Sequence, residues 1–231
     1  MKNSLSILLA ALVLAFTVPA LAVAQGSEHT YFHPKLRDKE MIVNRLVLLP
    51  PAVHVSKNGV KGQEGMGAES EKATAYFALE VAAALTARGA TVGTPFTEDA
   101  LQGNDELRSA LADVQRQFDE IAPKIFAKKK DIKQGRFTVG DGVAVLNSKG
   151  DLDALVLVRA VGSQETTGKA IMTKGIIGMV ATRGKTLYRS RVALVDAKNG
   201  DILFLGDYTS WNSPGPELIE KSFKKLPVKS E

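Results

Sequence analysis

The sequence contains no cysteine. A bacterial lipoprotein carries its lipid on a cysteine directly after the signal-peptide cleavage site, so this mode of membrane attachment is excluded. Disulfides and a cysteine nucleophile are excluded for the same reason. We therefore expect an ordinary hydrophobic core to provide the stability, and 45% hydrophobic and 24% charged residues are proportions typical of a globular protein.

Motifs of hydrolases and nucleotide-binding proteins are missing as well. There is no Gly-x-Ser-x-Gly elbow for a serine nucleophile. The glycines of Gly62–Gly67 have the spacing G-x-x-G-x-G, and Glu64 among them would repel phosphate. We predict a flexible loop over Ser56–Gly67, no cofactor and no enzymatic activity.

Histidine is scarce, with three residues in the chain. His29 and His33 are four positions apart, with Glu28 beside them and His54 further on. Two histidines and a carboxylate are suitable zinc ligands. Because the first two histidines fall in a polar lead-in, we predict that the protein holds no metal.

The amino terminus has the features of a secretory signal peptide. Lys2 provides a basic start, Ile7–Phe16 is continuously apolar, Pro19 ends the run, and Ala22–Ala24 is a small-x-small cleavage pattern. We expect cleavage between Ala24 and Gln25 and an exported, periplasmic or envelope-associated protein. An uncleaved membrane anchor is the alternative, because the apolar stretch nearly reaches the about 20 residues of a spanning helix.

After residues 1–24 as signal peptide, we predict an extended lead-in over residues 25–40 and a single α/β domain over residues 41–231. A helix is predicted at about Glu69–Arg88, because Ala73, Phe77, Val81, Ala84 and Leu85 recur at helical spacing. Apolar runs predict strands over Asp153–Val161, which we expect to be central, and over Thr186–Asp196. The full order is β-α-β-α-(α)-β-β-β-α, a mixed sheet flanked by helices. Asn199-Gly200 between two β-rich runs predicts a hairpin near the end. A helix at about residues 216–226 closes the chain.

Two segments are candidates for contacts, each with an ordinary structural alternative. The connection over residues 166–181 is apolar in the middle and is a candidate subunit or membrane contact, with a helix packed on its own sheet as the alternative. Its residues are Ile171, Met172, Ile176, Ile177, Met179 and Val180. A basic surface near the carboxyl terminus is formed by Lys221, Lys224, Lys225 and Lys229. With a formal net charge of +5, anionic membrane or cell-wall polymer is a more suitable partner than nucleic acid outside the cytoplasm.

Four stretches of the chain carry a resemblance to a known family. They are the strand Asn44–Pro51, the helix end Leu85–Val92, the strand Asp153–Leu157 and the pair of strands around Ala193–Phe204. The sequence resembles the envelope superfamily that includes the curli-secretion protein CsgG, the TolB N-terminal domain, PelC and LpoB. The resemblance implies a non-enzymatic domain that assembles, scaffolds or activates partners, and several relatives form rings. Many relatives are lipoproteins, from which this chain departs by lacking the cysteine.

We therefore expect a non-enzymatic accessory or assembly protein of the envelope, acting by protein–protein or envelope-surface contacts, with a homo-oligomer as one form. Two alternatives stay open. The first is an envelope ligand-binding or hydrolytic protein with an unrecognised site, which two acidic side chains converging in a pocket would indicate. The second is a peripheral binder of anionic membrane surfaces.

Overall fold

The structure, a computed structural model, describes residues 28–93, 96, 98–126, 134–165 and 186–211. Its strands are β1 (Glu28–Phe32), β2 (Arg45–Leu48), β3 (Ala52–Gly59), β4 (Gly62–Gly65), β5 (Thr91–Gly93), β6 (Ala154–Glu165), β7 (Thr186–Asp196) and β8 (Ile202–Trp211). Its helices are α1 (Pro34–Arg37), α2 (Gly67–Thr86), α3 (Glu98–Leu101), α4 (Asp105–Ile125) and α5 (Gly142–Leu146). These elements confirm the predicted α/β class.

Strand β6 is the central element of an eight-stranded mixed sheet. It pairs antiparallel with β7 on one side and parallel with β2 and β3 on the other. The order across the sheet is β1-β8-β7-β6-β2-β5, and β4 pairs with β3. The continuous apolar run Ala154–Val158 accounts for the position of β6, because a strand with helices on both faces has no solvent-facing side.

Strands β2 and β3 follow one another along the same edge of β6. Pro50 and Pro51 separate them, and proline has no N–H to donate to a sheet. Just before the prolines, the backbone N–H of Leu49 still donates to the carbonyl oxygen of Val156 at 2.9 Å. The break lets the two strands take different outer neighbours, β5 beside β2 and β4 beside β3.

Two hydrophobic clusters cover the opposite faces of the sheet. Helix α2 packs on one face, where Phe77 is fully buried, and α4 packs on the other, where Phe118 is fully buried. Successive residues of β6 belong alternately to the two clusters, because successive side chains of a strand point to opposite faces of the sheet. Val156 belongs to the α2 cluster, whereas Leu155 and Leu157 belong to the α4 cluster.

Helix α2 confirms a predicted helix. Its buried residues recur at the helical spacing expected from the sequence. They are Ala73, Phe77, Val81 and Leu85, while Ala84 of the predicted stripe is half-buried. Gly89 has a φ of 83°, the left-handed conformation that ends a helix most readily at glycine. Within the described ranges, no helix is both long and apolar enough to span a membrane.

The prediction of a flexible loop over Ser56–Gly67 is wrong. These residues complete β3, turn into β4 as an antiparallel hairpin and begin α2. Gly62 has a φ of 128°, so a glycine supplies the turn of the hairpin. Clustered glycines indicate turns, but they do not exclude short strands on either side of one.

The polar lead-in is partly a strand of the sheet. Residues 28–32 form β1 and pair antiparallel with β8, which places them in the same sheet as the predicted domain. Tyr31 explains the attachment, because its ring is 2% exposed and packs edge-on against Phe137. Beyond β1, His33 caps α1. The predicted helix over residues 216–226 lies outside the described residues.

The packing of α2 gives a stability prediction. Phe77→Ala should lower the free energy of unfolding by about 3–5 kcal/mol, because it removes a fully buried ring and leaves a cavity. Leu79→Ala is the matched control on the same helix, since Leu79 is 72% exposed and surface changes stay within about 0.5 kcal/mol. Urea denaturation followed by circular dichroism measures both, and equal losses would contradict this packing.

Candidate functional site

The face of the sheet that α4 covers becomes polar beyond the helix. Along β6, Leu157 is buried against α4, whereas Val161 on the same face is 51% exposed. Beside the apolar Val161 and Leu187, this uncovered part of β6, β7 and β8 carries charged side chains. We call these residues the arginine face, and they are Arg159, Arg189, Arg191 and Asp207.

Strand pairing brings the arginine face together. Arg159 of β6 lies opposite Arg191 of β7, which in turn lies opposite Asp207 of β8. Arg189 is two residues from Arg191 and therefore points to the same face. Like charges directly opposite each other destabilise a sheet, so the two arginines require nearby carboxylates.

Strand β8 carries a β-bulge close to the hairpin turn. Val195 pairs with Ile202, but the next pair is Leu194 with Phe204, which leaves Leu203 as an extra residue. Leu203 and Phe204 consequently both belong to the α2 cluster, although they are adjacent in a strand.

This bulge decides on which face of the sheet Asp207 lies. Without the extra residue, Asp207 would lie opposite Ser190, whose side chain is on the α2 face. A slip of one residue moves every side chain of a strand to the other face. With the bulge, Asp207 lies opposite Arg191, and its carboxylate joins the arginines.

Asp207 accepts hydrogen bonds from both arginines of β7. Arg189 donates from Nε at 2.9 Å and from Nη2 at 2.7 Å, one bond to each carboxylate oxygen. Arg191 donates from Nε at 3.1 Å. The side chain of Asp207 is 5% exposed, against 57% for Arg189 and 23% for Arg191. One buried carboxylate therefore orients two guanidinium groups that reach solvent.

Arg159 has a separate carboxylate on α4. Its Nε donates to Oδ1 of Asp119 at 2.8 Å, and this bond ties the sheet to the helix. The Arg159 side chain is 14% exposed, so this guanidinium lies in a recess beside the helix. Within the described part of the chain, three guanidinium groups of this face are bonded to two carboxylates, which leaves an excess of one positive charge.

The two arginines of β7 determine the ionisation of Asp207. Burial raises the pKa of its carboxyl, but the hydrogen bonds and charges of Arg189 and Arg191 outweigh burial and hold that pKa below its ordinary value. The same pairing raises the pKa of Arg189. A carboxyl with a lowered pKa stabilises the fold above its unfolded pKa of about 3.9, and the contribution is lost as the pH falls through the folded pKa.

Asp207→Asn should lower the free energy of unfolding at pH 7 by about 1–3 kcal/mol, because it keeps the side-chain shape but removes the charge that two guanidinium groups share. Asp113→Asn is the control, since Asp113 pairs with Arg116 on the exposed side of α4 and such pairs contribute at most about 1 kcal/mol. Denaturation curves at several pH values measure both.

The difference between the original chain and Asp207→Asn should shrink as the pH falls below about 3.9, since the original carboxyl then becomes protonated too. A difference that stays constant from neutral to strongly acidic pH would contradict the pairing of Asp207.

The histidines do not form a metal site. His33 is buried, and its Nδ1 accepts from the backbone N–H of Lys35 as the cap of α1. His29 packs its ring against Phe126, with centroids 5.5 Å apart. His54 lies on β3, several strands away in the sheet. Across the described residues, no group of three or more suitable side chains could hold a metal ion.

A cavity of about 490 Å³ lies beside the start of α4, away from the arginine face. Its polar groups have structural partners or reach solvent; for example, Oδ1 of Asn104 accepts from the backbone N–H of Leu107 at 3.0 Å. The buried side-chain atoms without a partner in the described parts of the chain, Tyr31 Oη and Ser190 Oγ, do not line it. The lining includes Phe96, Asn104, Glu106, Leu107, Lys149 and Asp151.

The two segments predicted to make contacts lie outside the described residues. This applies to Ile171–Val180 and to the basic residues Lys221–Lys229, which stay predictions. The arginine face was not predicted from the sequence. The residue pattern of Thr186–Asp196 predicted a strand and gave no indication of a site on it. Arg189-x-Arg191 on a strand that enters an Asn-Gly hairpin was a usable signal for two arginines on one face.

Fold and site together define a three-layer α/β domain with a cationic, partly uncovered sheet face. No protein-family model and no curated protein matches the chain. Solved structures similar to it include the PelC dodecamer from Paraburkholderia phytofirmans, at 12% identity and a TM-score of 0.43, over 88% of this chain and 99% of the other. A variant of that dodecamer has 11% identity and a TM-score of 0.41 over the same shares.

Lipoprotein GNA1162 from Neisseria meningitidis is similar at 15% identity and a TM-score of 0.30, over 72% of this chain and 78% of the other. These likenesses are weak and concern the fold only.

Proposed function

We propose that this chain is an exported, non-enzymatic accessory or assembly protein of the cell envelope, which acts by non-covalent contact through its arginine face. Export is supported by the basic, apolar and small-x-small pattern of residues 1–24. The partner is an envelope protein or a second copy of the chain. The observation that carries the proposal is the buried carboxylate of Asp207 holding two solvent-reaching arginines.

Arginine is well suited to such a contact. Its planar guanidinium offers five donors in a fixed geometry, and arginine is enriched at protein interfaces. A side chain already held in one conformation loses less entropy when a partner binds. Arg189 is held in this way by its two bonds to Asp207, yet more than half of its side chain is exposed.

Site-specific photo-crosslinking tests the proposal. A photoreactive amino acid at position 161, which lies opposite Arg189 beside the arginine face, should give a discrete adduct in cells that export the chain. The same amino acid at position 79 is the matched control, because Leu79 and Val161 are both exposed apolar residues but lie on opposite sides of the sheet. The readout is the mass of the adduct on a denaturing gel, followed by mass spectrometry.

The adduct at position 161 should also disappear when Arg189→Gln is added, because that change removes the held guanidinium. No adduct at position 161, or equal adducts at both positions, would overturn the proposal that the arginine face is the contact surface. Loss of folding in the double variant is checked by circular dichroism.

A further inference from the structure

We propose that the arginine face binds a carboxylate side chain from an acidic, extended segment of a partner protein. The inference rests on the proposed function and specifies the chemistry of the partner. Arg189 and Arg191 hold the incoming carboxylate between them, while Asp207 stays bound behind them. Both guanidinium groups are thus held by Asp207, and their remaining Nη atoms are not bonded to other described residues.

The donors needed for this contact are unoccupied by other described residues. Arg189 uses Nε and Nη2 on Asp207, and Nη1 has no partner in the described chain. Arg191 uses Nε, so both of its Nη atoms remain without a partner there. Three donor nitrogens on two neighbouring guanidinium groups are enough to bind a planar carboxylate through both oxygens.

The balance of charge favours an anion. Asp207 neutralises one of the two arginines of β7, and Asp119 pairs with Arg159. Among the described residues, the ion pairs of this face therefore leave one positive charge uncompensated. Because the groups lie in a partly buried site, the field at an incoming carboxylate is screened less than on an open surface.

The shape of the site favours a polypeptide over a membrane. Arg159 and Arg191 are only 14% and 23% exposed, so they lie below the surrounding surface, where a flat layer of lipid head groups cannot reach them. Val161, at 51% exposure, provides an apolar contact next to Arg189. An extended segment that presents acidic and apolar side chains matches both features.

Fluorescence anisotropy tests the inference with a dye-labelled peptide of alternating glutamate and valine. The mature chain should bind this peptide and not a peptide of alternating lysine and valine. Arg189→Lys keeps the positive charge but removes the planar guanidinium group and its fixed donors. It should weaken binding of the peptide by about tenfold, as expected for lost charge-assisted hydrogen bonds. Arg191→Lys should act in the same direction if Arg189→Lys fails to fold.

Arg116→Lys is the matched control. Arg116 is 59% exposed and bound to carboxylates on α4, whereas Arg189 is 57% exposed and bound to a carboxylate on the sheet. It should bind the peptide as the original chain does. If the two substitutions weakened binding equally, the peptide would be held by non-specific electrostatic attraction to the whole protein. That result would overturn the inference.

A second arm replaces the peptide by vesicles of phosphatidylglycerol. Binding of vesicles without binding of the peptide overturns the inference in favour of a membrane partner. Failure of both probes, while the adduct at position 161 still forms in cells, overturns the carboxylate chemistry and leaves the proposed function standing. Loss of that adduct removes the proposed function itself.

Discussion

The arrangement on the sheet depends on one ionic interaction, the buried carboxylate of Asp207 between Arg189 and Arg191. Burial alone would favour the neutral acid, and two arginines two residues apart on one face would repel each other. The two arginines keep the buried carboxyl of Asp207 ionised, and the charge of that carboxylate offsets their repulsion. Its hydrogen bonds also fix both guanidinium groups. In the function that we propose, the guanidinium groups that reach solvent make this face a contact site as well as a structural ion pair.

That interaction rests on the geometry of the sheet. A single extra residue, Leu203, shifts the register of β8 and places Asp207 on the arginine face. On the same sheet, two prolines divide the strand partner of β6 into β2 and β3, which pair with successive parts of β6. The part of β6 that pairs with β3 extends beyond the cover of α4. In this uncovered part, the side chain of Val161 is 51% exposed.

Much of the fold could be predicted from the sequence, and the reasons are local. The spacing of Phe77 and Val81 predicted α2, the apolar run Ala154–Val158 predicted a central strand, and Asn199-Gly200 predicted the β7–β8 hairpin. The β3–β4 hairpin was missed, because its glycines and polar residues have low strand propensity and pairing with β6 stabilises it. The candidate site was missed for a related reason: the bulge at Leu203 has no signature in the sequence, and a register one residue different would separate Asp207 from the arginines.

The register of β7 and β8 is the central claim, and disulfide formation in a chain without cysteine tests it most directly. The pair Arg189→Cys with Thr209→Cys places two cysteines directly opposite each other on one face, at a Cα separation suited to a disulfide of about 4.4–6.8 Å. Arg189→Cys with Tyr208→Cys places them on opposite faces. With this register, a disulfide should form in the first pair under mild oxidation and none in the second. A disulfide in the second pair but not in the first would mean that the bulge is absent and that Asp207 does not lie with the arginines.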